Sequence, residues 1–215
     1  MSSQAIRIRP TKVEFIKLRR RHSVAKRVHR IVKDRLTILV SELLSLSKDA
    51  MAMRTELNKE LQLGYQQLML TYVEKGGIQL AIDAMAAQRD VGVSFLTQNI
   101  AGVATPLIES EPMVRSPGGR GLTLHDEKMS LRKTAEHFER ATELLVELAE
   151  IENSIVLVGL EVRVTRRKVG ILEHSVIPRI EEMISYLSMK FEEREREEKT
   201  RLKRIKNIIT RGRRI

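Results

Sequence analysis

One stretch near the N-terminus decides the fold. Residues 15–57 read FIKLRRRHSVAKRVHRIVKDRLTILVSELLSLSKDAMAMRTEL. Positions spaced alternately by three and four residues carry apolar side chains or, at two places, histidine: Phe15, Leu18, His22, Ala25, His29, Val32, Leu36, Leu39, Leu43, Leu46, Ala50, Met53 and Leu57. Such a run of heptads predicts a coiled-coil helix whose seam faces a second helix. Neither Gly nor Pro occurs between Pro10 and Gly64, so an unbroken helix of about 50 residues and about 80 Å is allowed.

The start of this helix is marked by Thr11-Lys12-Val13-Glu14. Thr followed three residues later by Glu predicts a capping box, in which the Thr11 hydroxyl accepts a hydrogen bond from the Glu14 amide and the Glu14 carboxylate reaches back. We therefore expect the first long helix to span residues 11–63.

A second apolar stripe follows the helix-breaking segment 116–121 and predicts a second long helix over residues 123–210. Its positions are Leu131, Ala135, Phe138, Ala141, Leu145, Leu148, Ile151, Ile155, Val158, Val162, Thr165, Val169, Leu172, Val176, Met183 and Leu187. Its spacing slips between Leu148 and Ile155, and Pro178 should remove a backbone hydrogen bond and bend the helix near His174. Beyond a charged run, the seam resumes at Leu202, Ile205 and Ile209.

Residues 64–122 between the two helices predict a compact insert. Gly76-Gly77 breaks the chain, and residues 78–88 favour a short amphipathic helix. Residues 91–107 combine β-branched side chains with Gly and Pro, which favours a small β-hairpin or a loop. The sequence thus predicts an all-α protein, a long antiparallel two-helix coiled-coil hairpin with a small central insert.

Positive charge is concentrated at the two ends of the chain. The net charge is +11 overall, while residues 1–35 carry 12 Lys and Arg against 2 acidic residues and residues 186–215 carry 11 against 5. If Thr11 lay beside residues near Ile205, an antiparallel hairpin would bring both ends to one basic tip. Residues 1–10 and 211–215 would form basic tails. Such a tip fits an acidic partner surface, nucleic acid, or solvent alone.

The sequence offers no group suited to catalysis, cofactor binding or metal binding. There is no cysteine, and Gly118-Gly119-Arg120-Gly121 lacks the Lys and Ser/Thr of a phosphate-binding loop. We expect it to be a flexible loop. His22 and His29 are one heptad apart, whereas helical metal ligands converge at a spacing of four, so these histidines fit polar seam positions that fix the register. No signal peptide or membrane-spanning segment is expected either.

The residues resemble the D subunit of the archaeal A-type and vacuolar-type rotary ATPases over nearly the whole chain. The matching segments are Pro10 to Lys12 with Phe15, Leu18, Arg19 and Arg21, then residues 33–35, 99–103 with Pro106, 166–169, 172–173, 176–181 and 195–206. This resemblance implies a non-catalytic central-stalk protein, a rotor shaft that couples ATP synthesis or hydrolysis to ion translocation.

The resemblance also implies the partners of the chain. They are a ring of catalytic A and regulatory B subunits at the basic tip, the small F subunit of the stalk, and the funnel-shaped adaptor above the membrane rotor, all at the cytoplasmic face of the cell membrane. The ring-binding residues it suggests are Arg7, Arg9, Lys12, Arg19, Arg20, Arg21, Arg204, Lys206 and Arg211. Two alternatives stay open at this point. A basic coiled-coil arm could bind RNA or DNA, although the 3% aromatic content offers little base stacking, or the chain could be a free-standing helical scaffold.

Overall fold

The computed structural model describes residues 9–116, 119–120 and 128–212. Its elements are helix α1 (Lys12–Lys75), helix α2 (Gly77–Ala86), strands β1 (Val93–Ile100) and β2 (Val103–Ser110), helix α3 (Met129–Ile171), a π turn (Leu172–Val176) and helix α4 (Ile177–Gly212). The chain divides into two compact units: Met1–Leu36 with Val164–Ile215, here called the terminal unit, and Thr37–Arg163, here called the central unit. The predicted class, an all-α coiled coil with a small inserted hairpin, is confirmed.

The first turn of α1 follows half of the predicted capping box. The Glu14 amide donates to Thr11 Oγ1 at 3.3 Å. The Glu14 carboxylate, however, accepts a hydrogen bond from Lys17 Nζ at 3.0 Å and does not reach back. The carboxylate can bond either to the Lys17 ammonium or to the Thr11 amide, and the charge-assisted bond to Lys17 is the stronger of the two.

Helix α1 continues past the predicted end at residue 63 and stops only at Lys75. Gly64 is buried inside it, and a Cβ at this position would lie 3.5 Å from Phe138 and from His137. Close packing against α3 offsets the cost of about 1 kcal/mol that Gly carries in a helix. The helix ends where Gly76 adopts a positive φ of 80°. The predicted start of the second helix at 123–127 lies outside the described residues.

In the central unit, α1 packs antiparallel against α3. Its buried cluster comprises Ala50, Leu57, Ala141 and Leu148, with Met53, Leu61, Leu144, Ile151 and Ile155 packed around it. Polar pairs fix the register beside this core: Arg54 Nη2 lies 2.7 Å from Glu152 Oε1, and the buried hydroxyls of Thr71 and Thr134 lie 3.0 Å apart.

In the terminal unit, α1 packs antiparallel against α4, in a register that differs from the prediction. Arg194 Nη1 donates to the Pro10 carbonyl at 3.2 Å, and the rings of Phe15 and Phe191 meet edge to face with centroids 5.7 Å apart. Thr11 therefore lies level with residues near 194, about three helical turns short of Ile205. The expectation was wrong because a repeated stripe of apolar positions does not by itself single out one register.

Most stripe positions are removed from solvent. On α1 all thirteen are buried or half-buried, and Leu39 is fully buried. On the returning helix Leu145 is 51% exposed, and Leu144 packs on the core in its place. The core positions Phe138, Ala141 and Leu144 are therefore separated by three residues each. The alternation of three and four is interrupted here, before the predicted interruption between Leu148 and Ile155.

A π turn at Leu172–Val176 separates α3 from α4. Thr165 and Leu187 are both buried although they are 22 residues apart, one residue more than three heptads. A π turn holds one residue more than an α-helical turn, so it accommodates the extra residue. Pro178, which has no amide to donate, follows immediately, so the interruption of the α-helical hydrogen bonds expected near His174 coincides with the π turn.

The β-hairpin is confirmed. Strands β1 and β2 pair antiparallel from Val93 with Ser110 to Ile100 with Val103. The two-residue turn has positive φ at both Ala101 (52°) and Gly102 (83°), the geometry that suits the twist of a tight hairpin. Asn99 Oδ1 accepts a hydrogen bond from the Gly102 amide at 2.8 Å and closes the turn.

Candidate partner-binding surfaces

The first candidate surface is the start of α1, the α1 basic surface. It comprises the exposed residues Arg9, Lys12, Arg19, Arg20 and Arg21. The guanidinium of Arg19 lies 4.6 Å from the ring centroid of Phe15, whose other contact is the seam residue Phe191. A cation held over a packed ring loses little freedom on binding. Five cationic side chains are thus exposed to solvent, four in the first three turns of α1 and one, Arg9, just before the helix.

The second candidate surface is the end of α4, the α4 terminal segment (residues 195–212). It continues past Arg194, which is level with Pro10, and among the described residues no other helix packs beside it. Arg204 and Lys206 are exposed here. The apolar side chains along it are also exposed: Leu202 (66%), Ile205 (52%), Ile208 (70%) and Ile209 (59%). The expectation that the seam resumes at 202–209 is therefore wrong within the described part of the chain.

The basic tip predicted from both chain ends is not formed by the described residues. Arg204 is ten residues beyond Arg194, or about 15 Å further along the helix, so it lies well past the level of Arg19 to Arg21. Arg7 and the side chain of Arg211 lie outside the described residues. The structure therefore has two successive cationic surfaces in place of one tip.

A polar cluster in the terminal unit fixes the α1 basic surface against α4. Glu181 Oε1 lies 2.8 Å from His22 Nε2 and 3.2 Å from Lys26 Nζ. The hydrogen bond from His22, followed by that from Lys26, holds the pKa of Glu181 below its ordinary value. His29 Nε2 lies 3.7 Å from Glu173. The two seam histidines thus each face a carboxylate of the opposite helical strand, as expected of polar residues that set a register.

An ionic cluster in the central unit was not predicted. Glu139 accepts two hydrogen bonds from Arg120 at 3.0 and 2.9 Å and two from Arg115, from Nε at 2.8 Å and from the backbone amide at 3.0 Å. Arg115 Nη1 also donates to the Ala87 carbonyl at 2.8 Å. Burial raises the pKa of Glu139, but the hydrogen bonds from Arg120 and Arg115 outweigh it and leave the pKa lowered.

This cluster corrects the expectation of a flexible loop at Arg120, whereas Gly118 and Gly121 lie outside the described residues. Arg120 is only 1% exposed, because its paired carboxylate offsets the loss of hydration that a lone charge would suffer. The segment after β2 is thereby attached to α3 and to the end of α2. A single Arg among glycines was the only sequence signal for it.

A set of exposed apolar side chains in the central unit, here called its apolar surface, was not predicted from the sequence. It groups exposed apolar side chains of three elements: Met69 (69%) and Val73 (83%) of α1, Ile78 (83%) and Met85 (76%) of α2, and Phe95 (73%) of β1. An open groove of about 540 Å³ runs along α1 between Asn58 and Met69. Met69 and Val73 are one turn apart on α1, and adjoining exposed apolar side chains are typical of protein interfaces. Periodicity did not reveal it because these side chains lie off the seam.

The described residues contain no group of three or more His, Cys, Asp or Glu side chains arranged to hold a metal ion. Within the same ranges, no helix is long and apolar enough to cross a membrane.

Comparison with known proteins decides the family. Residues 14–207 match the family of the ATP synthase D subunit. This chain belongs to that family. It is 33% identical over 207 residues to the A-type ATP synthase D subunit of Thermococcus sibiricus, covering 96% of this chain and 97% of the relative. The D subunit of Pyrococcus furiosus is 34% identical over 206 residues, covering 96% of both chains, and that of Methanopyrus kandleri is 34% identical over 206 residues, covering 95% and 88%.

The matches run almost from end to end, so they include both long helices and the insert. The resemblance drawn from the sequence is confirmed, and with it the assignment to the D subunits, which are non-catalytic stalk proteins of the rotary ATPases. None of the three relatives is named as a nucleic-acid-binding protein, so the alternative of an RNA- or DNA-binding arm gains no support from them.

Proposed function

We propose that this chain is the central rotor shaft of an A-type ATP synthase, which couples ATP turnover in a catalytic ring to ion translocation in the membrane. The observation that carries the proposal is the family match over residues 14–207, which coincides with a helical seam in both units. A shaft needs no catalytic group of its own.

The packing supports transmission of torque. Two helices joined along a seam resist twisting better than one, and cross-helix pairs such as His22 with Glu181 and Arg54 with Glu152 oppose sliding. A two-stranded shaft also lacks threefold symmetry. Inside a ring of three alternating subunit pairs, it would present different faces to the three catalytic sites and favour a different state at each.

We assign the partners by the chemistry of the surfaces. The α1 basic surface and the α4 terminal segment would enter the ring of catalytic A and regulatory B subunits, where cations and exposed apolar side chains need an acidic, partly apolar lining. The apolar surface of the central unit would bind the small F subunit and the funnel-shaped adaptor. The chain would then act at the cytoplasmic face of the cell membrane as a peripheral part of the complex.

Reconstitution of the ring tests this proposal. The A and B subunits are purified alone and with this chain, and ATPase activity and single-molecule rotation are recorded. We expect rotation only in the presence of the chain. Unchanged activity and no rotation would contradict the proposed function.

Matched charge variants then test the surface assignment. Replacement of Arg19, Arg20 and Arg21 by Gln should weaken ring binding about tenfold or more and reduce its salt dependence, since cations steer and stabilise such contacts. The control replaces the exposed residues Arg163, Arg166 and Arg167 by Gln and removes the same charge midway along the returning helix. If both triple variants lose affinity equally, binding depends on net charge alone and the assignment is wrong.

A further inference from the structure

In the part of the chain that the structure describes, no strand pairs with the outer edge of β1. Among the described residues the sheet has two strands only. A two-residue turn makes Ile100 and Val103 a mutually hydrogen-bonded pair, and such pairs alternate with non-bonded ones along an antiparallel ladder. The N–H and C=O groups of every second residue of β1 therefore point away from β2: those of Val93, Phe95, Thr97 and Asn99.

The opposite edge of the hairpin, along β2, is protected at two positions, Pro106 and Ile108. The same alternation directs the Ile108 amide away from β1, and this amide donates to Glu150 Oε2 of α3 at 3.0 Å. Pro106, also on this edge, has no N–H to leave unpaired. Gln98 Nε2 adds a contact to Glu150 Oε1 at 3.4 Å. One edge is thus covered by a helix and carries a proline.

Within residues 9–116, 119–120 and 128–212, the β1 edge has no covering helix and no proline. Its sequence, VSFLTQNI, contains no charged residue and no Pro. Residues 93–97 and 99 are exposed, and the Phe95 side chain is 73% exposed. Natural proteins protect free edges with Lys, Pro, bulges or covering elements, because an open uncharged edge pairs with any available strand. The contrast between the two edges indicates that β1 is left open to receive a strand.

We propose that β1 accepts an extended strand from another protein of the assembly, so that a three-stranded sheet forms against α3. The inference rests on the proposed function, since a single shaft per ring leaves no second hairpin within reach. The incoming strand would pair its backbone with Val93, Phe95, Thr97 and Asn99 over about eight residues, as in other cases of strand addition. An apolar side chain on the exposed face would cover Phe95.

Thr97 offers a matched pair of variants. Its amide points away from β2, so Thr97→Pro removes one donor from the open edge and leaves the bonds between β1 and β2 in place; Pro is tolerated at such edge positions. Thr97→Ala removes the side chain and keeps the donor. We expect Thr97→Pro to weaken binding of the chain to the rest of the complex about tenfold, and Thr97→Ala to leave it within about twofold.

Hydrogen exchange at single-residue resolution provides a readout on the unmodified chain. In the isolated chain, the amides of Phe95, Thr97 and Asn99 should exchange fast and those of Leu96 and Gln98 slowly. In the purified complex all five should be slow. Assembly without added protection at the outward amides overturns the inference and leaves the proposed function intact. Concentration-dependent protection in the isolated chain would identify a second copy as the occupant and also overturns it. Failure of the chain to join the ring overturns both proposals.

Discussion

Deletion of one residue from a coiled coil normally turns everything beyond it by about 100° and destroys the seam. Deletion of Ser175 should be an exception. This exposed residue lies in the π turn, which holds the one residue in excess of the heptad spacing between Thr165 and Leu187. Its removal should convert the turn to α-helix and leave α4 in phase with α1. We expect the free energy of unfolding to change by less than about 1 kcal/mol, since no buried contact is lost.

Ser185, an exposed residue of α4, is the matched control. Its deletion has no π turn to absorb it, so Leu187 and Phe191 rotate out of the seam. Leu187 is fully buried and Phe191 packs on Phe15, so the loss should be about 3–6 kcal/mol for the two side chains and their ring contact. Urea unfolding followed by circular dichroism measures both variants. Equal losses would refute the role assigned to the π turn.

The remaining predictions concern the central unit. Leu39→Asp should cost more than about 3 kcal/mol, since it buries an unpaired charge, whereas Leu44→Asp at a 59% exposed position should be nearly neutral; equal melting temperatures would place Leu39 off the seam. Thr71→Val and Thr134→Val should each lower the free energy of unfolding by about 1 kcal/mol. The double variant should lose less than the sum of the two, and a loss equal to that sum would show that the two hydroxyls do not interact. Glu139→Gln should cost about 3 kcal/mol at neutral pH. Because the folded-state pKa of Glu139 is lowered, the stability that its charge contributes is complete above the ordinary carboxyl pKa and is lost as pH falls through the folded-state pKa. Urea unfolding of the unmodified chain and of Glu139→Gln at a series of pH values should therefore give free energies of unfolding that converge in acid.

The amino-acid sequence by itself predicted the long seam and the short helix, and it favoured a small hairpin or a loop in residues 91–107. A three-four alternation of apolar residues from Phe15 to Leu57 permits only a helix with one buried stripe. The positions it marked on α1 are those that the structure removes from solvent. These features depend on neighbours within about seven residues, so local pattern suffices to predict them.

Only the tertiary structure decided the register, the ionic cluster and the surfaces. A heptad stripe is identical after a shift of seven residues, and the pairing of Phe15 with Phe191 and of His22 with Glu181 selects one register among several. That register leaves the α4 terminal segment without a described partner helix and divides the expected basic tip in two. The contacts of Arg120 with Glu139, and the closing of one hairpin edge by Glu150, join residues distant along the chain. No local pattern encodes such pairs, because their energy arises only when packing brings the two groups together.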